Sequence, residues 1–240
     1  MEYEVVEYNA KEHSDLVNNL PAETILKPYN IFRHFNPKGK LIVDLGCGDG
    51  SISRTAIDRG ADYVLGIDSK FEMIILAGDM NEGYKGRIHY INDFVENCEG
   101  SGKFDIAIMS YLLNNAQSAN QLEKQVKAAF SFLKKGGKAI VYNNNPFDTI
   151  GGDFTKYGFR KTITGTDEGS EIIYNYSPFM SKRIVNYFLK SETHEEAFRK
   201  AGFSKFRWEK LELMPDADKA FWKEYFERKE LPVIGAVAEK

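Results

Sequence analysis

The chain has 240 residues, 42% of them apolar, and its 32 Lys and Arg stand against 35 Asp and Glu for a formal charge of −3. That length and content suit one α/β core with appendages, and the slight acidic balance argues against nucleic acid, whose partners usually carry a basic surplus. Cys47 and Cys98 give neither a disulfide framework nor metal-ligand spacing, no apolar run approaches the roughly 18 residues of a membrane span, and the start lacks a leader pattern, so a cytoplasmic protein without metal or membrane anchor is expected.

Residues 10–35 read as helical, and Pro21 and Pro28 divide them into two short helices that would form a lid over residues 1–38. A core over 39–142 follows: strand 41–45, helix 51–59, strand 63–67, helix 70–82, strand 87–91, a loop to 103, strand 104–109, helix 119–133 and strand 137–142. Strands alternating with helices imply parallel pairing with both sheet faces covered. Lys134-Lys-Gly-Gly137 reads as the close of the last of these helices, basic residues facing its negative end and glycine capping it. Over 143–190 the pattern breaks into an aromatic and polar insertion, read as a small antiparallel excursion. Residues 191–240 then supply a helix ending at Gly202 and a closing antiparallel hairpin. The whole is expected to be a single domain with seven strands in its main sheet.

Chemistry concentrates in 41–50, Leu-Ile-Val-Asp-Leu-Gly-Cys-Gly-Asp-Gly, where an apolar strand runs into three alternating glycines, Gly46, Gly48 and Gly50. Such a loop can lie flat against a ligand. The next strand ends in Asp68, placed to accept both hydroxyls of a ribose. A dinucleotide loop has the spacing G-x-G-x-x-G and welcomes a pyrophosphate. Here the third glycine comes one position early, and Asp44 and Asp49 would repel a pyrophosphate while suiting a cationic ligand.

Asp44-Leu-Gly-Cys-Gly-Asp-Gly50 resembles the D-x-G-x-G-x-G motif of the class I S-adenosylmethionine-dependent methyltransferases. The resemblance implies an α/β, Rossmann-like doubly wound seven-stranded sheet and S-adenosylmethionine as cofactor. It assigns the loop residues, with Cys47 packing inside, and Asp44 to the loop and the methionine end. Asp68 and Ser69 fall to the ribose; Asp68 could also cap the helix that follows. Asp93 would accept from the adenine amino group beside Phe94, although a loop aspartate is ordinarily a turn former. Ser110 and Tyr111 fall to the methionine part, and Tyr8-Asn9 resembles the Tyr-Asp pair that closes over the cofactor in many small-molecule methyltransferases.

Methyl transfer needs alignment and dryness more than a fixed catalytic group, so no catalytic residue is assigned; His13, in the lid, is the candidate base, whereas His89 reads as structural. Asn143, Asn145, Tyr157, Tyr174 and Tyr176, together with Phe179 and other aromatics, would wall a pocket for a planar polar acceptor, or else form a satellite core holding the insertion. Phe154-Thr-Lys-Tyr-Gly158, Ala201-Gly-Phe-Ser-Lys-Phe-Arg-Trp208 and Phe221-Trp222 resemble the toxoflavin-type N-methyltransferases, which methylate azapteridine rings. The expected activity is methylation of a small molecule, at a ring nitrogen, by a monomer or homodimer. An O-methyltransferase, a nicotinamide-binding oxidoreductase and a catalytically silent cofactor-binding subunit are the alternatives.

Overall fold

The computed structural model describes residues 31–176, 183–213 and 217–240. Strand β1 (Leu41–Leu45) is covered on both faces, so Ile42, Val43, Asp44 and Leu45 are all buried. It pairs in parallel with β2 (Tyr63–Asp68) on one side and β4 (Phe104–Ser110) on the other. Beyond these lie β3 (Ile88–Asn92) and β5 (Leu133–Asn144), also parallel to their neighbours. Antiparallel strands β10 (Lys205–Glu209) and β11 (Val233–Glu239) complete a seven-stranded sheet, ordered β10-β11-β5-β4-β1-β2-β3. The mostly parallel sheet with a closing hairpin is the architecture expected from the sequence.

Alternation along the strands feeds two cores. On one face, Val43, Leu45, Ala107, Met109 and Val141 meet α3 (Ala119–Phe132) and α4 (Ser191–Ala201) through Leu122, Val126, Phe132, Ala197 and Phe198. On the other, Ile42, Val64, Ile108 and Ile140 meet Ala56 and Ile57 of α1 (Ser51–Asp58) and Ile31. The helix α2 (Phe71–Asp79) follows β2. Of the expected lid, the described residues include only a single 3-10 turn, Ile31–His34; Tyr8, Asn9, His13, Pro21 and Pro28 lie outside them, as does Phe179.

One local expectation is corrected. Helix α3 stops at Phe132, and Lys134-Lys-Gly-Gly137 is the irregular start of β5, not a glycine-capped helix end. Two interactions pull it into the sheet: Gly136 and Gly137 exchange backbone hydrogen bonds with Lys240, and Lys134 Nζ sits 2.6 Å from Asp105 Oδ1.

The insertion forms a second, antiparallel sheet of β6 (Gly151–Phe154), β7 (Phe159–Ile163), β8 (Glu171–Tyr176) and β9 (Arg183–Tyr187). Phe154, Phe159, Ile172 and Tyr174 pack with Trp222 and Tyr225 of α5 (Lys219–Phe226), a helix whose first N–H groups are capped by Asp218. A buried ion pair joins this sheet to the segment after β5: Lys161 Nζ donates to Asp148 Oδ2 at 2.8 Å and to the Pro232 carbonyl at 2.9 Å. Asp148 Oδ1 in turn accepts from Gly151 N–H, where β6 begins. Removing one member of such a pair strands a buried charge. Lys161→Met is therefore expected to cost about 3–5 kcal/mol, measured by urea denaturation.

Candidate active site

The glycine loop leaves β1 at the point where the sheet order diverges, with β2 on one side and β4 on the other, which is where open α/β sheets bind ligands. Gly46 and Cys47 N–H both donate to the Ile67 carbonyl, at 2.8 and 3.0 Å, so the loop is held against the end of β2. Gly48 N–H donates to Asp68 Oδ2 at 2.9 Å, and Lys70 N–H to Asp68 Oδ1 at 2.9 Å. Asp68 thus fastens the loop and shapes the turn into α2, whose N-cap position is Lys70. Gly50 has φ +77°, and a Cβ there would lie 2.1 Å from the Tyr90 hydroxyl, so only glycine fits. A Cβ on Gly48 would meet nothing within 4 Å. This part of the loop is open.

The opening belongs to a cleft of about 520 Å³ lined by Gly46, Cys47, Gly48, Asp68, Ser69, Phe94, Ser110 and Tyr111. These expected residues, scattered from position 46 to position 111, come together at the carboxyl ends of β1, β2, β3 and β4. Cys47 is buried there, and burial pushes its thiol well above the usual range, which fits packing rather than reaction. Gly50 and Asp44 lie behind the lining. Asp44 accepts from Ser53 Oγ at 2.7 Å and so ties β1 to α1. Asp93 also lies off the lining: its Oδ1 accepts from Phe94 N–H and Asn97 Nδ2, the work of a turn former. Glu96 lines the cleft instead, its Oε1 accepting from Gln121 and Gln125 of α3 at 3.0 and 3.1 Å. The i, i+4 spacing of those two glutamines was a legible sign of a shared helix face.

The expected acceptor residues are placed differently from a pocket wall. Tyr157 stacks on Trp222 at 4.9 Å and packs against Tyr225, deep in the satellite core. Asn145 holds its own bend, accepting from Phe147 N–H and donating to the Leu231 carbonyl. Asn143 is buried in β5, and Tyr176 packs beside Tyr174 and Phe159. Tyr174 donates to Asn144 Oδ1 at 2.6 Å. None of the five lines the cleft: the three tyrosines pack in the aromatic cluster that α5 completes, and the two asparagines belong to β5 and the bend after it. What the second sheet does bring to the cleft is Ile184 and Asn186, on one face of β9. No sequence motif marked either residue. The turn after β4 contributes Leu112, Asn114 and Asn115, and Tyr111 within it has φ +56°, strained for a side chain of that size.

Among the described histidines none lines the cleft. His89 is exposed on the edge strand β3 against Tyr63, His34 lies against Tyr142, and His194 donates from Nδ1 to the Lys190 carbonyl. Acidity at the site comes from Asp44. Burial, with smaller contributions from the Asp68 and Asp49 charges, raises its carboxyl from 3.8 to about 7 against the opposing Ser53 hydrogen bond. Asp68 is raised as well, chiefly by burial, against the Lys70 and Gly48 N–H groups. A carboxyl whose folded pKa exceeds its unfolded value binds more protons when folded, so its contribution to stability falls as pH rises from about 4 to about 7. The stability of the wild type relative to Asp44→Asn should therefore decline over that window by a few kcal/mol, at about 1.4 kcal/mol per pKa unit, and level off above it. Denaturation of both proteins across pH measures this directly.

Residues 42–137 match the family model described as a methyltransferase domain. A ubiquinone biosynthesis O-methyltransferase of Coxiella burnetii is 28% identical over 156 residues, 65% of this chain and 60% of the relative. The match thus spans under two thirds of that relative's length. An S-adenosylmethionine-dependent methyltransferase from Mesorhizobium loti superposes with a TM-score of 0.64 at 20% identity, over 88% of this chain and 95% of the other. The 1,6-didemethyltoxoflavin-N1-methyltransferase of Burkholderia thailandensis, solved with 1,6-didemethyltoxoflavin and S-adenosylhomocysteine, does so at 0.58 and 14% identity, over 96% and 83%. Loop spacing, sheet order and these likenesses together give the chain the fold of the solved S-adenosylmethionine-dependent methyltransferases, with the match to the methyltransferase-domain model confined to residues 42–137.

Proposed function

We propose that the protein transfers a methyl group from S-adenosylmethionine to a small-molecule acceptor, at a ring nitrogen of a planar heterocycle. The observation that carries the cofactor half is the glycine loop pinned to Asp68 beside an open cleft, with Gly48 leaving room that a side chain would fill. Gly46, Cys47 and Gly48 give the close backbone approach, Asp68 and Ser69 face the ribose, and Ser110 and Tyr111 face the methionine part. Asp44 acts one layer back, through Ser53 and the start of α1. Phe94 covers the adenine end. Asp93, whose Oδ1 forms its own turn, would serve there through Oδ2.

S-adenosylmethionine supplies an activated methyl on a sulfonium, with a neutral thioether as leaving group. The chain's part is to hold the acceptor lone pair in line and keep water out. A nitrogen lone pair needs no base, and the described cleft fits that case: it carries no histidine, and Asp49, Asp68 and Glu96 already accept from backbone or amide N–H groups. The Coxiella relative supports a second reading, an oxygen acceptor, which would require a base to make the oxyanion.

Isothermal titration with S-adenosylhomocysteine and with NAD tests the cofactor half; binding of the first and not the second is expected. Asp68→Ala should weaken S-adenosylhomocysteine by about 1.5–3 kcal/mol, the range for hydrogen bonds to a charged group. Unchanged affinity would remove Asp68 from the ribose.

A further inference from the structure

The wall of the cleft supplied by the turn after β4 and by β9 consists of Tyr111, Leu112, Asn114, Asn115, Ile184 and Asn186, with no charged side chain. It is a wall of amides. Asn114 is 4% exposed, and its Oδ1 has no hydrogen-bond partner among the described residues. A buried carbonyl oxygen in that condition calls for a donor from outside the chain. Asn186 is also buried, and its amide is held by long contacts: 3.5 Å from Asn144 Nδ2 to its Oδ1, and from its Nδ2 3.4 Å to Asn115 Oδ1 and 3.3 Å to the Val185 carbonyl. All three lie beyond the 2.7–3.2 Å of well-formed N–H···O bonds, so a ligand group can replace them at little cost. Asn144, by contrast, is anchored by the 2.6 Å bond from the Tyr174 hydroxyl.

Resting on the methyl-transfer reading above, we propose that the acceptor is a neutral planar heterocycle with a cyclic-amide edge, read by the side-chain amides of Asn114 and Asn186. An amide and a cyclic amide are mutually complementary, each offering one N–H donor and one carbonyl acceptor in a plane. Ile184, two residues from Asn186 on the same strand face, and the Tyr111 ring supply the apolar contact that a flat ring needs. The amide wall gives no charged partner to a carboxylate or phosphate on the acceptor, and elsewhere in the lining Asp49, Asp68 and Glu96 outweigh the cation of Lys70. Tyr174 is a positioning residue in this arrangement: it fixes Asn144, whose side chain bounds the space in which the Asn186 amide can turn. The second sheet thus enters acceptor recognition through Asn186 and not through its aromatic face.

The test is binding of three bicyclic probes to the full-length protein saturated with S-adenosylhomocysteine: lumazine, which carries cyclic-amide edges, 2,3-dihydroxynaphthalene and 2-naphthoate. Lumazine should bind at least about tenfold more tightly than the other two, since a site built for hydrogen bonds rejects ligands that leave its polar groups unpaired. Asn114→Ala and Asn186→Ala should each weaken lumazine about tenfold with S-adenosylhomocysteine affinity unchanged. Tyr174→Phe should weaken lumazine severalfold while leaving S-adenosylhomocysteine affinity near wild type, a split that a merely structural tyrosine would not give. Tighter or equal binding of either naphthalene, no lumazine binding, or indifference of lumazine to both asparagine variants would overturn the proposal while leaving the cofactor reading intact. Failure of S-adenosylhomocysteine itself to bind would overturn both.

Discussion

The hydrogen bond from Gly48 N–H to Asp68 Oδ2 joins the ends of two neighbouring parallel strands, and the cleft takes its form from it. A chain leaving β1 with glycines in left-handed conformations has no ladder partner of its own. It must be satisfied elsewhere. Ile67 and Asp68 do this from β2, taking the N–H groups of Gly46, Cys47 and Gly48 in turn. The loop therefore stays flat without side chains to pack, and the space that side chains would have filled is left for a ligand. A longer loop of the dinucleotide type would shift this register, because the second and third glycines would no longer be separated by a single residue.

Holding three acids at one strand end is costly, and the structure spreads the cost. Asp44 is buried, relieved by Ser53 and by partial protonation near neutral pH. Asp68 is relieved by backbone N–H groups, and Asp49 accepts from Ser51 N–H at the start of α1. Tyr111 adds backbone strain at φ +56° beside the same cleft, held by the 2.7 Å bond from its N–H to the Tyr142 carbonyl. Backbone strain at Tyr111 and the raised carboxyl pKa values of Asp44 and Asp68 around one cleft are the pattern of a site kept ready for a ligand at the expense of stability.

Much of this was readable from the chain alone because it is local. The loop, Asp68 and the turn after β4 each sit at the end of an apolar strand, and strand ends on one sheet edge meet by construction. Asp93 follows β3 in the same way, with its Oδ1 held in a local turn. The acceptor side was not readable. Whether Tyr157 faces a pocket or a core depends on α5, some 60 residues later, and on Trp222 arriving flat against it. Asn186 sits in Arg-Ile-Val-Asn-Tyr, a stretch with no motif, and gains its position only because β9 runs past the turn at Leu113–Asn115. Lys134-Lys-Gly-Gly137 was misread as a helix cap because its partners, Asp105 and the chain end at Lys240, come from other strands.

The two halves of the cleft are consequently built by different means. One rests on backbone N–H groups and a carboxylate, which tolerate little change: a Cβ at Gly50 collides with Tyr90, and loss of Asp68 frees the loop. The other rests on side-chain amides carried by β9, whose own strand contacts lie within the second sheet and whose contacts to the cleft pass through the Asn115 and Asn144 side chains. Exchanging residues at 184 and 186 alters what lines the cleft without disturbing the β1–β2 junction, because the two share no backbone hydrogen bond. Under the proposed reading, acceptor preference is therefore free to vary on β9 while cofactor geometry stays fixed. The Lys161–Asp148 pair then has a purpose beyond stability, because it anchors β7 and the start of β6 to the segment following β5. That fixes the second sheet, and with it the distance from Asn186 to the turn after β4.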